Sequence, residues 1–220
     1  MKFIPYEVKT GAENMQIDSD LLDWAIENNF QDAIFRLYGW SPACISLGRN
    51  QKDDFLDKKF LKENNIDIVR RLTGGRALLH DKELTYSFIC PFSYLKHGEN
   101  VADSYKEISE FLIKNLEELG IHTTFGTQKA VKTKFDYCML ISTGADLCFN
   151  DKKLIGSAQC RKNGYILQHG SILIDYDKKL LEKIFTEKVS TEEITCIKEI
   201  NPELKTEDII NIFSTNVNKY

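Results

Sequence analysis

The run Arg70-Arg71-Leu72-Thr73-Gly74-Gly75-Arg76-Ala77-Leu78-Leu79-His80-Asp81 constrains this 220-residue chain more than any other stretch. An apolar segment, Ile66 to Val69, leads into two adjacent arginines, and a second, Ala77 to Leu79, leads out to a histidine. Both read as strands, over 66–70 and 76–80, so the glycine pair must turn the chain between them. Paired glycines permit φ > 0 and let the backbone approach a ligand where a Cβ would collide. Arginines beside such a turn offer planar forks of donors for a carboxylate, phosphate or acyl oxygen. A hairpin with solvated arginines has the same pattern, so the stretch needs support from elsewhere.

The rest of the chain alternates strand and helix signals. Residues 14–29 read as a helix, with Ile17, Leu21, Trp24 and Ala25 at helical spacing. Strands are expected at 33–40 and 43–47, and a charged helix at 53–64. A strand at 84–90 follows. Helix 101–119 has the clearest stripe (Val101, Tyr105, Ile108, Leu112, Leu116, Leu119), and Gly120 ends it. Strands follow at 121–125, 145–149, 152–157 and 165–174, and helices from Lys178 onward. Hairpin-like neighbours predict an α+β fold: a mixed, mostly antiparallel sheet flanked by helices. A single catalytic domain over 1–220 is expected, with its core at about 10–178 and a helical C-terminal appendage over 179–220.

Composition excludes several classes. With 42% apolar and 28% charged residues the chain is ordinary for a globular protein. No apolar run approaches the ~20 residues that span a bilayer, and the first residues lack a signal-peptide stretch. A cytoplasmic location without membrane association is therefore expected. The six cysteines (44, 90, 138, 148, 160, 196) form no C-x-x-C pair and the four histidines are scattered, so neither a disulfide framework nor a metal site is expected. Net charge −4 argues against nucleic-acid binding. Between Lys129 and Lys162, however, seven basic residues stand against three acidic ones. That excess reads as a solvated face or as a docking surface for an acidic carrier protein.

Two further blocks supply the support. Asn150-Asp151-Lys152-Lys153-Leu154-Ile155-Gly156-Ser157-Ala158-Gln159 is followed by Leu167-Gln168-His169-Gly170-Ser171. Upstream lie Asn14-Met15 and Ser46-Leu47-Gly48-Arg49-Asn50-Gln51. In this order the blocks resemble the lipoate/biotin protein ligase and octanoyltransferase superfamily over residues 10–178, and its M-type octanoyltransferase branch most. The resemblance implies the fold of the biotin/lipoate ligase catalytic domain. It implies attachment of an octanoyl or lipoyl group to a lysine of a small carrier domain.

The resemblance also assigns roles. Lys153 takes the place of the essential lysine, which reaches the acyl carbonyl and lowers a nearby thiol's pKa. Cys138 lies fifteen residues before it, the spacing of the M-type nucleophile. Arg70, Arg71, Thr73, Gly74 and Gly75 would line the acyl pocket and its polar mouth; His80 would position substrate or orient the loop, or serve as a structural histidine; His169 and Gly170 would face the site from their strand, and Gly156, Ser157 and Ala158 would also bind substrate. After Cys138 the chain departs from the M-type pattern: Met139 to Asp146 keeps an acid at Asp146 but lacks its proline and aromatics. The leading expectation is an octanoyltransferase, without cofactor, that takes octanoyl from acyl carrier protein to a lipoyl domain or glycine-cleavage H protein through a cysteine thioester. The alternatives are an ATP- and magnesium-dependent lipoate ligase domain that uses Lys153 and a lipoyl-adenylate, an octanoyl amidotransferase between carrier proteins, and a non-catalytic acyl- or lipoate-binding protein.

Overall fold

The computed structural model describes residues 1–127, 144–186 and 191–219. The strands described are β1 (Lys2–Lys9), β2 (Ile34–Trp40), β3 (Cys44–Leu47), β4 (Asp67–Arg70), β5 (Leu78–His80), β6 (Glu83–Pro91), β7 (Thr124–Phe125), β8 (Leu147–Phe149), β9 (Lys152–Lys162) and β10 (Tyr165–Leu173). The helices are α1 (Gly11–Glu27), α2 (Lys58–Glu63), α3 (Val101–Glu118), α4 (Lys178–Ile184), α5 (Ile197–Ile200) and α6 (Thr206–Asn216). A seven-stranded sheet runs β1-β2-β6-β10-β9-β8-β7, and a three-stranded sheet runs β4-β3-β5. Only the β1–β2 and β3–β4 pairs are parallel, so the mixed, mostly antiparallel α+β architecture holds.

Local chemistry explains the elements. β9 and β10 join through Asn163-Gly164, both at positive φ (49° and 81°), the twist-matched geometry of a two-residue hairpin. Asn150 and Asp151, at 48° and 62°, turn β8 into β9 the same way. A reciprocal capping box starts α1: Thr10 Oγ1 accepts from the Glu13 N–H (3.3 Å), and Glu13 accepts from the Thr10 N–H (2.9 Å). Asn100 caps α3 by accepting from the Asp103 N–H, and Gly120 at φ 75° follows its last turn.

Three expectations change. The predicted helix over 53–64 forms only from Lys58, capped by Asp57, because Phe55 and Leu56 extend instead to pair with Phe185 and Thr186. β9 continues to Lys162, five residues further than read, because it pairs with β10 along its length. On α1 the buried stripe is Gly11, Asn14, Asp18, Leu22 and Ala25, while Trp24 is exposed. Two polar residues occupy core positions there because partners within the fold meet them, as described below.

The large sheet is buried on both faces. On one, α3 and α6 pack Leu112, Leu116, Ile209 and Phe213 against Phe35, Tyr86, Ile155 and Ile166. Phe213 stacks on Phe35 at 5.9 Å and meets Phe111 edge-on at 5.8 Å. On the other, Leu22 and Ala25 of α1 cover Ile34, Ile89 and Leu167, and the small sheet with α2 and α4 closes over Leu173. Among the described residues no helix is long and apolar enough to cross a membrane.

Candidate active site

The α1-side face of the large sheet carries two rows of directly paired residues. One is Tyr38, Thr85, Ser171 and Gly156, across β2, β6, β10 and β9. The next is Arg36, Ser87, His169 and Ala158. Above them lies a narrow cavity roofed by Met15, Arg71, Leu78 and His80 and walled by Trp40. Of the residues singled out in the sequence, Arg71, His80, Gly156, Ser157, Ala158, His169 and Gly170 line it.

Gly170 is small because its neighbours are close. A Cβ there would stand 2.6 Å from the Gly156 carbonyl oxygen and 2.6 Å from the Tyr86 ring. Gly48 faces the same limit, since its Cβ would collide with the Gly75 carbonyl oxygen.

Arg71 holds the roof together. Its guanidinium donates to Ser46 O (2.7 Å), Ser46 Oγ (2.6 Å), Thr73 Oγ1 (3.3 Å), Gly74 O (3.1 Å) and Arg76 O (2.9 Å). The fork expected to meet a ligand is thus engaged by the protein's own oxygens and shapes the turn. Arg70 does the same outside the cavity, donating to Gly48 O (2.8 Å) and Gln51 O (2.7 Å). Gly75 sits at φ 92°, as the paired-glycine turn requires.

Two polar chains converge on this turn. In one, Asp18 pairs with Arg36 (2.9 Å, both side chains 2% exposed) and accepts from Tyr38 OH (2.8 Å). Asp18 Oδ2 lies 3.3 Å from His169 Nδ1, and His169 Nε2 lies 2.7 Å from Thr73 Oγ1. Asn14 adds an acceptor for Arg36 (2.6 Å). In the other chain, Ser46 Oγ lies 2.7 Å from His80 Nε2, and His80 Nδ1 lies 3.3 Å from Glu83. Glu83 accepts from Thr85 (2.8 Å), which accepts from the Trp40 indole N–H (2.8 Å).

Burial works to raise the Asp18 carboxyl, but the bond to His169 and the charges of His169 and Arg36 outweigh it and hold the group below its ordinary value. Burial lowers the His80 imidazole, against the opposing pull of Glu83, so its neutral form is favoured. Burial, reinforced by Asp18, drives the Tyr38 phenol well up, so it stays a donor.

Lys153 lies outside the cavity lining. Its Nζ is 3.0 Å from Asp146 Oδ2, with the two side chains 1% and 2% exposed. Asp146 Oδ1 accepts from the backbone N–H of Ser157 (3.4 Å), which lines the cavity. Cys138 falls outside the described residues. On either side of it in sequence, the Gly126 N–H donates to Asp146 O (2.9 Å). Of the other cysteines, Cys44, Cys90, Cys148 and Cys196 are buried. Burial pushes the thiols of Cys44 and Cys90 up to about 12, so both are protonated and inert at neutral pH.

Of the described basic residues between Lys129 and Lys162, Lys152 is exposed. Lys153 is inside, Lys162 pairs with Asp23 at 2.6 Å, and Arg161 binds the carbonyls of Gly98 and Glu99 while lying over Phe92.

Sequence reading missed Asp18, Arg36, Tyr38, Ser46 and Glu83. A signal was there: Arg36 stands alone in an apolar strand, and Asn14 and Asp18 share a helix face with Leu22 and Ala25. A charge at a core position is a flag for a buried pair.

Residues 10–218 match the family model described as the lipoyl protein ligase A/B catalytic domain, and the chain belongs to that family. Two curated relatives are each named octanoyltransferase LipM. That of Clostridioides difficile is 40% identical over 89% of this chain and 69% of its own length. That of Geobacillus kaustophilus is 38% identical over 79% of this chain. The match spans only 65% of the Geobacillus protein's length. The solved structure described as lipoate-protein ligase A bound with ATP superposes with a TM-score of 0.77 at 20% identity, over 99% of this chain and 84% of that one. That likeness is one of fold.

Proposed function

We propose that this chain is an acyltransferase that moves an octanoyl group from a thioester on acyl carrier protein to one lysine of a lipoyl domain or glycine-cleavage H protein, through a thioester on Cys138. The observation that carries this reading is the Lys153–Asp146 pair, sealed from solvent and one hydrogen bond from the cavity wall. Burying two charges costs several kcal/mol per ion before their attraction returns it. A pair kept at that cost beside a cavity is a functional candidate. The octanoyltransferase relatives, at 38% and 40% identity, support the same direction.

In this mechanism the Cys138 thiolate attacks the donor's thioester carbonyl, and the carrier's thiolate departs and takes up a proton. The acyl group now sits on Cys138 Sγ. The neutral amine of the acceptor lysine attacks this second thioester, loses a proton and becomes an amide, and the Cys138 thiolate is restored. Lys153 supplies the positive charge that faces each oxyanion, and Asp146 fixes its Nζ. The acyl chain lies in the cavity beneath Arg71, with the Thr73–Gly75 turn at its rim. A thioester-to-amide transfer runs downhill and uses no ATP.

Intact-mass spectrometry after incubation with octanoyl-acyl carrier protein, without ATP, tests the reading. The expected result is a gain of one octanoyl group, mapped to Cys138, removed by hydroxylamine and lost in Cys138→Ala. Absence of the adduct, with adenylate formation once lipoate and Mg-ATP are supplied, would overturn it in favour of a ligase.

A further inference from the structure

We propose that Glu193–Thr195 belong to the active site, as a strap that fixes the main chain of Lys153, and that Thr195 is a positioning residue for the Lys153 ammonium. The proposal rests on the acyltransferase reading and deepens it. β10 accompanies β9 only as far as the Ile172–Ile155 pair. Beyond it the chain turns away, and the N–H groups of Ile174 and Asp175 donate to Lys82 O instead (3.2 and 3.0 Å). Glu193–Thr195 take up that side of β9. The Lys153 N–H donates to Glu193 O (2.9 Å), and the Thr195 N–H donates to Lys153 O (3.0 Å), a parallel bridge centred on Ile194. The strap lies within 179–220, the stretch expected as an appendage to the catalytic core.

Lys153 needs such a support. Its neighbour on the other side, β8, is three residues long and changes register between Leu147 and Cys148, next to the Cys148–Lys153 pair. The lysine side chain is a flexible four-carbon stem. Asp146 at its tip therefore fixes Nζ only as firmly as the main chain behind it is fixed. Lys153 is also buried. A buried N–H and C=O left without partners would carry their full desolvation cost. The strap meets both groups at once.

The strap is itself anchored. Ile194 is buried with Leu173, Phe185 and Cys196, and Ile197 is buried in the core under α3 and α6. Thr195 Oγ1 donates to Glu199 Oε2 (3.1 Å), and Tyr176 OH donates to Glu199 Oε1 (2.8 Å). The Lys198 N–H donates to Ile174 O (3.1 Å). The chain leaving β10 is thus tied to the strap that replaces it. Lys153 is held at its main chain by the strap and at its Nζ by Asp146.

The test is a double-mutant cycle on octanoyl transfer from acyl carrier protein by the full chain. Thr195→Pro removes the N–H donated to Lys153 O. Its kcat is expected to fall about 10²-fold with KM unchanged, the scale of a roughly 1 Å misplacement. Thr195→Ala, which keeps the N–H and loses only the bond to Glu199, should lose far less. In a Lys153→Gln background Thr195→Pro should bring no further loss, because Thr195 acts through that lysine alone. If Thr195→Pro does not fold, Ile194→Ala, which loosens the seat of the strap, goes through the same cycle, with a smaller loss of kcat expected. An unchanged kcat in the folded variant, an equal loss in Thr195→Ala, or the same fold-loss with and without Lys153 overturns the proposal. Wild type that transfers no octanoyl group would instead overturn the acyltransferase reading.

Discussion

The two faces of the large sheet are equally buried and built by opposite rules. The face under α3 and α6 is hydrocarbon and aromatic, with Phe35, Phe111 and Phe213 in mutual ring contact. The face toward α1 and the small sheet carries Arg36, Tyr38, Thr85 and His169, linked partner to partner around a cavity. Apolar packing is forgiving, because neighbouring side chains can shift to fill a gap. A buried polar chain is not: each member left without its partner carries the full desolvation cost. One face thus contributes stability, and the other spends part of it to hold a shape.

The strongest way to break this contrast is Arg36→Met, which leaves the Asp18 carboxylate buried beside no guanidinium. A loss of about 3–5 kcal/mol is expected in urea denaturation. The double variant Arg36→Met/Asp18→Leu should recover most of that loss, and a double variant as unstable as the single would refute the pairing argument. Next in size, Lys153→Gln removes the proposed oxyanion partner. Transfer should fall by about 10²–10³-fold in steady-state kinetics, the usual effect of losing one such donor, and near-normal turnover would exclude the role. On the opposite face, Phe213→Leu keeps an apolar group of similar reach and should cost less than about 1.5 kcal/mol, read as a small shift in melting temperature.

The smallest effect is a pH slope. Burial sets the folded-state pKa of His80 below its ordinary 6.5. Its contribution to stability is therefore complete above pH 6.5 and declines as pH falls through the folded value, because the unfolded chain takes up the proton first. Glu83 opposes this shift, while Arg71 and His169 reinforce it. Asp18, also held below its ordinary 3.8, adds a loss of the same sign at lower pH. The urea midpoint should fall between pH 7.5 and pH 5 in wild type and in Phe213→Leu alike, and His80→Gln should flatten it. A slope that survives in His80→Gln would assign it elsewhere.

The apolar face was the legible one. Of the α3 stripe read from Val101 to Leu119, Ile108, Leu112 and Leu116 are buried, Tyr105 and Leu119 are partly buried, and Val101 at the first turn is exposed. The glycine turn was legible too, since it depends on neighbours in the chain, whereas the hairpin at Asn163-Gly164 was not read, because the strand before it was ended at Ser157. β1 was not read, although it holds Phe3, Ile4, Tyr6 and Val8, because Pro5 interrupts the run and a proline argues against a strand anywhere but at an edge. The polar face was legible only in part. Thr73, His80 and His169 carried motifs, but their partners Asp18, Ser46 and Glu83 lie far away in sequence. Glu83, Thr85 and Ser87 even alternate with apolar residues as a solvent-facing strand does. In the fold all three are buried, and the polar side of that alternation faces inward.

The two loops at the rim of the cavity are joined through main chain. The Arg49 N–H donates to Thr73 O (2.9 Å), the Arg71 N–H donates to Leu47 O (2.9 Å), and Gly48 lies directly against Gly75. Neither loop can open by itself without giving up bonds to the other. In hydrogen exchange the amides of Arg49 and Arg71 should therefore exchange together, as one cooperative opening unit, and admission of a substrate would involve both loops at once.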